Sequence, residues 1–106
     1  MKKLTTHKGG FKRKDKSDKI NYNLVPLEPL KDLAIHFTTG AKVHDRDNWK
    51  KATDMNTFKE SMFRHLIAVL EGDKNEDHIS SLIWNSMALK WHEQYKQYKG
   101  KHKKTN

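Results

Sequence analysis

The sequence predicts an all-α protein, a small bundle of three main helices with disordered basic arms at its N- and C-termini. Three segments carry apolar residues at intervals of three and four, the spacing of one helix face. No segment alternates apolar and polar residues as a half-buried strand does. The 106 residues suffice for one domain. We expect a flexible basic arm at residues 1–20, a helical domain at 21–98 and a basic tail at 99–106.

The first predicted helix begins near Pro26 or Leu27, because proline suits the first turn of a helix. Gly40 is expected to end it, since glycine is common just after a helix. The apolar positions that fall at helical spacing are Leu27, Leu30, Leu33, Ala34 and Phe37.

A charged loop is expected from Ala41 to Asn56, and Trp49 is its one large aromatic residue. A lone tryptophan in a polar loop more often fills the core than stacks on a ligand. We therefore favour a core role for Trp49 and keep base stacking as the alternative.

The second predicted helix has a clear start, because Thr57 and Glu60 are spaced as in a capping box. In that motif the hydroxyl and the carboxylate each accept a hydrogen bond from an open backbone amide. Gly72 is expected to stop the helix. Its apolar stripe is Phe58, Met62, Leu66, Val69 and Leu70.

The third predicted helix starts at Asp77 or His78, since aspartate is a good N-cap residue. It is expected to reach about Tyr98, with Gly100 breaking it. Its apolar face comprises Ile79, Leu82, Ile83, Met87 and Leu89, extended by Trp84 and Trp91.

Charge and composition narrow the classes of function. The chain has 22 Lys and Arg against 13 Asp and Glu, a net charge of +9, which favours anionic partners such as nucleotides, nucleic acid or acidic surfaces. The absence of cysteine excludes disulfides, thiolate metal sites and cysteine nucleophiles. No apolar run approaches the ~20 residues of a membrane helix, and no secretory signal is apparent. We therefore expect a cytoplasmic protein without membrane contact.

Polar residues that suit phosphate chemistry concentrate around the turn between the second and third helices. A short connection makes these helices an antiparallel hairpin, so the end of one lies beside the start of the other. Carboxylates of this kind bind Mg²⁺ or Mn²⁺, which in turn hold nucleotide phosphates. The same residues also have a purely structural interpretation. Glu60 and Arg64 have the spacing of an ordinary i,i+4 surface pair, and the acidic residues of the turn can be a solvated loop with a helix cap. They are Glu60, Arg64, His65, Glu71, Asp73, Glu76, Asp77 and His78.

Three ordered stretches of the chain resemble a known family. The first runs from Tyr22 to Ala34 and is similar to a Tyr-Asp-Leu-Ile-Pro pattern followed by Glu and a Leu-rich helix. The second, Gly40-Ala41-Lys42 and then Asn48-Trp49, is similar to Gly-Ala-Lys-Lys-Tyr followed by Asn-Trp. The third, Arg64-His65-Leu66, Gly72-Asp73, His78-Ile79 and Trp84-Asn85, is similar to Arg-His-Leu, Gly-Glu, His-Leu-x-His and Trp-Asn.

Together these stretches resemble the small phage dATP/dGTP diphosphohydrolases, which are grouped near the all-α MazG-type nucleoside triphosphate pyrophosphohydrolases. The resemblance implies hydrolysis of purine deoxynucleoside triphosphates to the monophosphate and pyrophosphate, with Mg²⁺ or Mn²⁺, in the cytoplasm of an infected host cell. The chain lacks the paired Glu-x-x-Glu and Glu-x-x-Asp carboxylates that mark the wider superfamily.

The resemblance also suggests roles for single residues. Arg64 and Lys42 are candidate phosphate clamps, and His65 or His78 is a candidate to orient water or bind metal. Asn48 and Asn85 are candidates to bind base or sugar, and Trp49 to stack on the base. The expected metal ligand is Asp73, helped by Glu60, Glu71 or Asp77. By analogy, a homo-oligomer is expected.

The alternative is a small basic nucleic-acid-binding or host-interaction protein without catalysis. The basic arms favour this reading, since lysines and arginines neutralise phosphates. Trp91, Tyr95 and Tyr98 would add stacking surfaces near the basic tail.

Overall fold

The protein folds as three α-helices, as shown by a computed structural model that describes the backbone of residues 4–6, 10, 12–14 and 19–102. Side chains are described for residues 10 and 19–96. The helices are α1 (Leu27–Val43), α2 (Asn56–Leu70) and α3 (His78–His102). The predicted all-α class is confirmed.

The third helix is the centre of the bundle, because it packs against both α1 and α2, most extensively against α2. Two ring contacts fix the direction of α2 relative to α3. His65, near the end of α2, meets His78 at the start of α3, while Phe58, near the start of α2, meets His92. The two helices therefore form the predicted antiparallel hairpin.

The hinge between α2 and α3 is built as the sequence predicted. Gly72 adopts a φ of 77°, and the amides of Gly72 and Asp73 donate to the carbonyls of Val69 and Ala68, both at 3.0 Å. This pair of backbone hydrogen bonds is typical of a helix that ends at a glycine in the left-handed conformation. Asp77 then caps α3, because its Oδ1 accepts from the Ser80 amide at 3.0 Å.

The predicted capping box at the start of α2 is wrong. The helix begins at Asn56, and no side chain caps it. Thr57 therefore lies inside the first turn, where its hydroxyl is not in the N-cap position. Instead, Asp54 Oδ1 accepts from the Asn56 amide at 3.0 Å.

Two helices continue past the glycines that were expected to end them. The first helix runs through Gly40 to Val43, and α3 runs through Gly100 into the predicted tail as far as His102. Glycine inside a helix costs only about 1 kcal/mol relative to alanine, so surrounding contacts can override it. The predicted ends at Gly40 and Gly100 are therefore wrong.

Two short strands, β1 (Leu4–Thr6) and β2 (Lys12–Lys14), pair antiparallel within the predicted N-terminal arm. The register places Leu4 opposite Lys14. This hairpin lies in a segment where the sequence predicts no strand. The rest of the arm, apart from residues 10, 19 and 20, and residues 103–106 of the tail lie outside the described residues.

The apolar core of the described chain is thin. Its buried hydrophobic residues are Leu33, Phe58 and Ala88, whereas the buried polar residues are His78, Ser80, Ser81 and Asn85. Many large apolar side chains of the helices remain exposed. None of the helices in the described part of the chain has the length and apolar character needed to cross a membrane.

Substitutions of two glycines by alanine should change stability in opposite directions. Gly72→Ala should lower the free energy of unfolding by about 1–2 kcal/mol, because alanine is strained at a left-handed φ. Gly40→Ala should raise it by about 1 kcal/mol, because Gly40 lies inside α1 with space for a Cβ atom. Urea unfolding followed by circular dichroism measures both, and a stabilising Gly72→Ala would contradict the hinge described above.

Candidate active site

A cleft of about 530 Å³ lies between the three helices and the loop that joins α1 to α2. Its volume is within the range of ~300–1,000 Å³ that is common for small-molecule sites. Aromatic rings from all of these elements form one wall. They are Phe37, Trp49, Phe58 and Trp84.

Trp49 is held in this wall from several sides. It lies in a short 3₁₀ turn, Asn48–Lys51, and its carbonyl pairs with His92 Nε2 at 3.0 Å. Its ring lies 5.8 Å from Phe37, 6.3 Å from Trp84 and 5.3 Å from Trp91, measured between centroids. Trp49 thus packs in the aromatic core, as the sequence favoured, and also presents surface to the cleft.

Cations and amides are prominent in the rest of the cleft lining, which also includes Asp45 and His44. Arg46, Lys51 and Arg64 supply positive charge, and Asn48 and Asn85 supply amide groups. Lys51 forms an ion pair with the Asp45 carboxylate at 3.2 Å. Among the described residues neither arginine forms such a pair. Both guanidinium groups are therefore available for an anionic ligand.

A second group of polar residues, the hinge cluster, comprises His65, Asp73, Glu76 and His78. The Nδ1 atoms of His65 and His78 lie 2.9 Å apart, and His78 Nδ1 lies 4.0 Å from Glu76 Oε1. His78 Nε2 lies 3.1 Å from Asp73 Oδ2. One nitrogen or oxygen from each of His65, Glu76 and His78 falls within 4.8 Å of the others, a donor set that fits a divalent metal ion.

The hydrogen bonds of His65 and His78 determine which ring nitrogen carries the proton when both rings are neutral. Asp73 Oδ2 accepts from His78 Nε2–H, so His78 Nδ1 carries a lone pair and accepts from His65 Nδ1–H. The amide of Asn75 and the ring of His78 both donate to Asp73 and lower the pKa of its carboxyl. Burial lowers the pKa of His65, outweighing the nearby Glu76 carboxylate.

The cleft and the hinge cluster are joined by the inward face of α3, which is polar. His78 and Ser81 lie toward the hinge, and Asn85, two turns after His78, lines the cleft. His36 Nε2 of α1 pairs with Ser81 Oγ at 2.7 Å. Asn85 Nδ2 donates to the Ser81 carbonyl at 2.8 Å.

The residues that the sequence singled out fall into three places. Four of them line the cleft: Asn48, Trp49, Arg64 and Asn85. Three lie in the hinge cluster: His65, Asp73 and His78. The remaining four line neither site: Lys42, Glu60 and Glu71 are exposed, and Asp77 caps α3. The functional roles of all eleven stay predictions.

Several residues of these sites were not chosen from the sequence. Arg46 and Trp84 line the cleft, and His36 reaches the polar face of α3. Glu76 was noticed at the hinge but was not chosen as a metal ligand. Its position two residues before His78 was the available signal, whereas pairing of His36 with Ser81 across 45 residues leaves no local pattern.

Comparison with known proteins identifies a family. The model of the family described as dATP/dGTP diphosphohydrolase, N-terminal, matches residues 10–102. No curated protein and no solved structure matches the chain.

His65 should titrate below its ordinary pKa of about 6.5 in the folded, metal-free protein. Because the unfolded chain takes up this proton at a higher pH, acidification below about pH 6.5 should favour unfolding. NMR of the imidazole protons, compared between native protein and protein in urea, measures the shift. An equal or higher value in the native state would contradict the burial of this ring.

Proposed function

The chain belongs to the dATP/dGTP diphosphohydrolase N-terminal family, and on this basis we propose that it hydrolyses dATP and dGTP with the help of Mg²⁺ or Mn²⁺. Water attacks the α-phosphorus, and the bond from that phosphorus to the oxygen bridging to the β-phosphorus breaks. The products are the deoxynucleoside monophosphate and pyrophosphate, and the proton of the attacking water passes to a base.

The observation that carries the proposal is the shared cleft. Asn48, Trp49 and Asn85 were singled out for the nucleoside and Arg64 for phosphate, and all four line this cleft. They come from three separate parts of the chain. An aromatic wall beside unpaired guanidinium groups suits a ligand that is flat at one end and anionic at the other.

The nucleoside end of the substrate is assigned to the aromatic wall. Trp49 stacks on the purine, and a purine offers a larger stacking surface than a pyrimidine. The amides of Asn48 and Asn85 each combine a donor and an acceptor, which suits the edge of a purine or the sugar hydroxyl.

The phosphate end is assigned to Arg64, whose planar guanidinium can hold two phosphate oxygens at once. Lys42, near the end of α1, is the second phosphate contact that we propose. It lies next to Ala41, which lines the cleft. His65 follows Arg64 directly on α2, about 100° further round the helix, and we assign the neighbouring hinge cluster to the triphosphate end of the substrate.

The hinge cluster is the part of the chain that fits the divalent ion. When bound, such an ion neutralises phosphate charge and activates water. We assign to His65 and His78 the orientation of the attacking water through the ion that they would hold. Asp73, the metal ligand expected from the sequence, belongs to this cluster. Glu60, Glu71 and Asp77 lie outside it, so we assign the donor atoms to the cluster.

We also propose that the protein acts as a homo-oligomer. Phe63, Ile67 and Leu70 follow one face of α2 at helical spacing, and Phe63 and Leu70 are 65% and 77% exposed. Apolar side chains arrayed on one helix face favour burial against another protein surface. A thin monomer core makes that burial important for stability.

Replacement of Arg64 should impair turnover. We expect Arg64→Ala to lower kcat/KM for dATP and dGTP about 10- to 100-fold, because a charged hydrogen bond contributes roughly 1.5–3 kcal/mol. Arg64→Lys should retain only part of the wild-type kcat/KM, because lysine lacks the planar guanidinium that binds two phosphate oxygens at once. Chromatography of products from each of the four deoxynucleoside triphosphates, with Mg²⁺ or Mn²⁺, measures the rates.

The matched control is Lys59→Ala, an exposed cation of α2 that does not line the cleft. It should leave turnover unchanged. Absence of both monophosphate and pyrophosphate from wild-type reactions under all of these conditions would refute the proposed activity.

Disruption of the exposed α2 face should dissociate the oligomer. We expect Phe63→Glu to give a monomer, because a carboxylate cannot be buried against an apolar partner surface. Analytical ultracentrifugation at several concentrations measures the mass, with Lys59→Glu on the same helix as control. A wild-type protein that is monomeric throughout would contradict the assembly without touching the proposed chemistry.

A further inference from the structure

We propose that the hinge cluster is a transition-metal site in which His65, His78 and Glu76 supply the donor atoms, and that it prefers Mn²⁺ to Mg²⁺. In this arrangement Asp73 is a positioning residue that orients His78 and does not bind the ion. The inference rests on the proposed function only for the use of the ion in turnover, because ion binding itself is measured without substrate.

The spacing of the two imidazoles matches that of neighbouring ligands on one ion. Their Nδ1 atoms lie 2.9 Å apart. Two donors at right angles with bonds of ~2.1 Å lie about 3.0 Å from one another. The rings face each other almost head-on, with centroids 5.1 Å apart, so both rings must tilt for their lone pairs to converge on one ion. The proton on His65 Nδ1 then moves to its Nε2. Glu76 is 61% exposed at its side chain, so its carboxylate is free to close on the ion.

Asp73 prepares His78 for this role. Its Oδ2 accepts from His78 Nε2–H, which leaves the Nδ1 lone pair directed at His65 and Glu76. A carboxylate on the far nitrogen of a metal-binding histidine commonly fixes the ring and makes it a better donor. The other oxygen of Asp73 accepts from the Asn75 amide at 2.9 Å. Asp73 thus meets His78 at Nε2, on the side of the ring opposite to the Nδ1 atom that faces His65 and Glu76, which places it behind the ring and away from the proposed ion.

Hydrogen bonds within the hinge position the two histidines relative to one another before an ion binds. Gly72 closes α2, Asp73 closes the turn to Asn75, and Asp77 caps α3 through both Ser80 groups, at 3.0 Å and 2.6 Å. His65 and His78 project from the helices on either side. Preorganised donors give tighter binding because little freedom is lost on binding.

The donor types select the ion. Mg²⁺ prefers oxygen ligands and gives up its waters reluctantly, whereas the divalent ions from Mn²⁺ to Zn²⁺ form a series whose affinity for nitrogen and oxygen sites rises along most of its length. Mn²⁺ is the weakest of these ions at a given nitrogen and oxygen site. A preference for Mn²⁺ over Mg²⁺ is therefore the most demanding test of nitrogen coordination. Three protein donors leave positions on a six-coordinate ion for water and phosphate oxygens.

Calorimetry of the full chain with MnCl₂ and with MgCl₂, without nucleotide, tests the site. We expect Mn²⁺ to bind at least tenfold more tightly than Mg²⁺, and pulsed EPR to show coupling of Mn²⁺ to imidazole nitrogen. Equal or weaker binding of Mn²⁺, or an EPR spectrum without nitrogen coupling, would overturn the inference. Either result would change the assignment of the ion's ligands but would leave the proposed hydrolysis to be judged separately, by product formation with Mg²⁺ or Mn²⁺.

Variants separate the ligands from the positioning residue. His65→Ala and His78→Ala should each abolish the nitrogen-coupled site. Asp73→Ala should weaken Mn²⁺ binding about 10- to 100-fold but keep the nitrogen coupling. Glu60→Gln and Glu93→Gln, exposed carboxylates outside the cluster, should bind Mn²⁺ as the wild type does. Loss of Mn²⁺ binding in Glu60→Gln with retention in His78→Ala would overturn the assignment.

A measurement on the unmodified protein guards against variants that fail to fold. Substoichiometric Mn²⁺ broadens NMR signals of nearby nuclei, so the ring protons of His65 and His78 should broaden first. His92 of α3 serves as the internal reference, because it packs against Phe58 near the start of α2, away from the hinge. Preferential broadening of His92 would overturn the inference.

Discussion

The hydrogen bonds along the inward face of α3 are the constraint on which the arrangement of the helices depends. His78, Ser81 and Asn85 occupy buried positions where an apolar bundle would carry leucine. Each finds a partner: His65 on α2, His36 on α1 and the α3 backbone. A buried polar group left without a partner costs about 1–3 kcal/mol. A shift of α2 along α3 would break the His65–His78 pair, and a shift of α1 would break the His36–Ser81 pair.

This constraint also sets the distance between the two sites. Arg64 and His65 are consecutive on α2, and Asn85 follows His78 by two turns, about 10 Å along α3. The cleft and the hinge cluster therefore share two helices, and their separation cannot change without breaking the pairs between them. A nucleoside triphosphate is extended, with its base far from its phosphates, and a fixed separation of this kind suits such a ligand.

The parts of the fold set by local chemistry could be predicted from the sequence, and the parts set by distant contacts could not. Gly72 and Asp77 end and start their helices through bonds within a few residues. Gly40 lies within α1 because packing against α3 outweighs the modest local cost of glycine. Thr57 and Glu60 have the spacing of a cap, but the helix starts a residue earlier, at Asn56, and Asp54 satisfies its amide.

The same division holds for the sites. Family-like stretches led to Asn48, Trp49, Arg64 and Asn85, and these residues share a cleft. Residue type alone favoured carboxylates as metal donors and so pointed to Glu60 and Glu71. The grouping of His65 with His78 arises from helix packing across 13 residues, and the engagement of both Asp73 oxygens from the shape of the hinge. No spacing of residues in the sequence predicts either of these two arrangements.

The position of the tryptophans gives the protein a built-in optical probe. The chain has three, of which Trp49 and Trp84 line the cleft and Trp91 touches Trp49 with ring centroids 5.3 Å apart. All of its indole emission therefore arises from one wall and the layer directly behind it. A base bound against that wall, as proposed, would change the polarity and the electronic contacts of these rings, so intrinsic fluorescence of unlabelled protein would report occupancy by natural nucleotides.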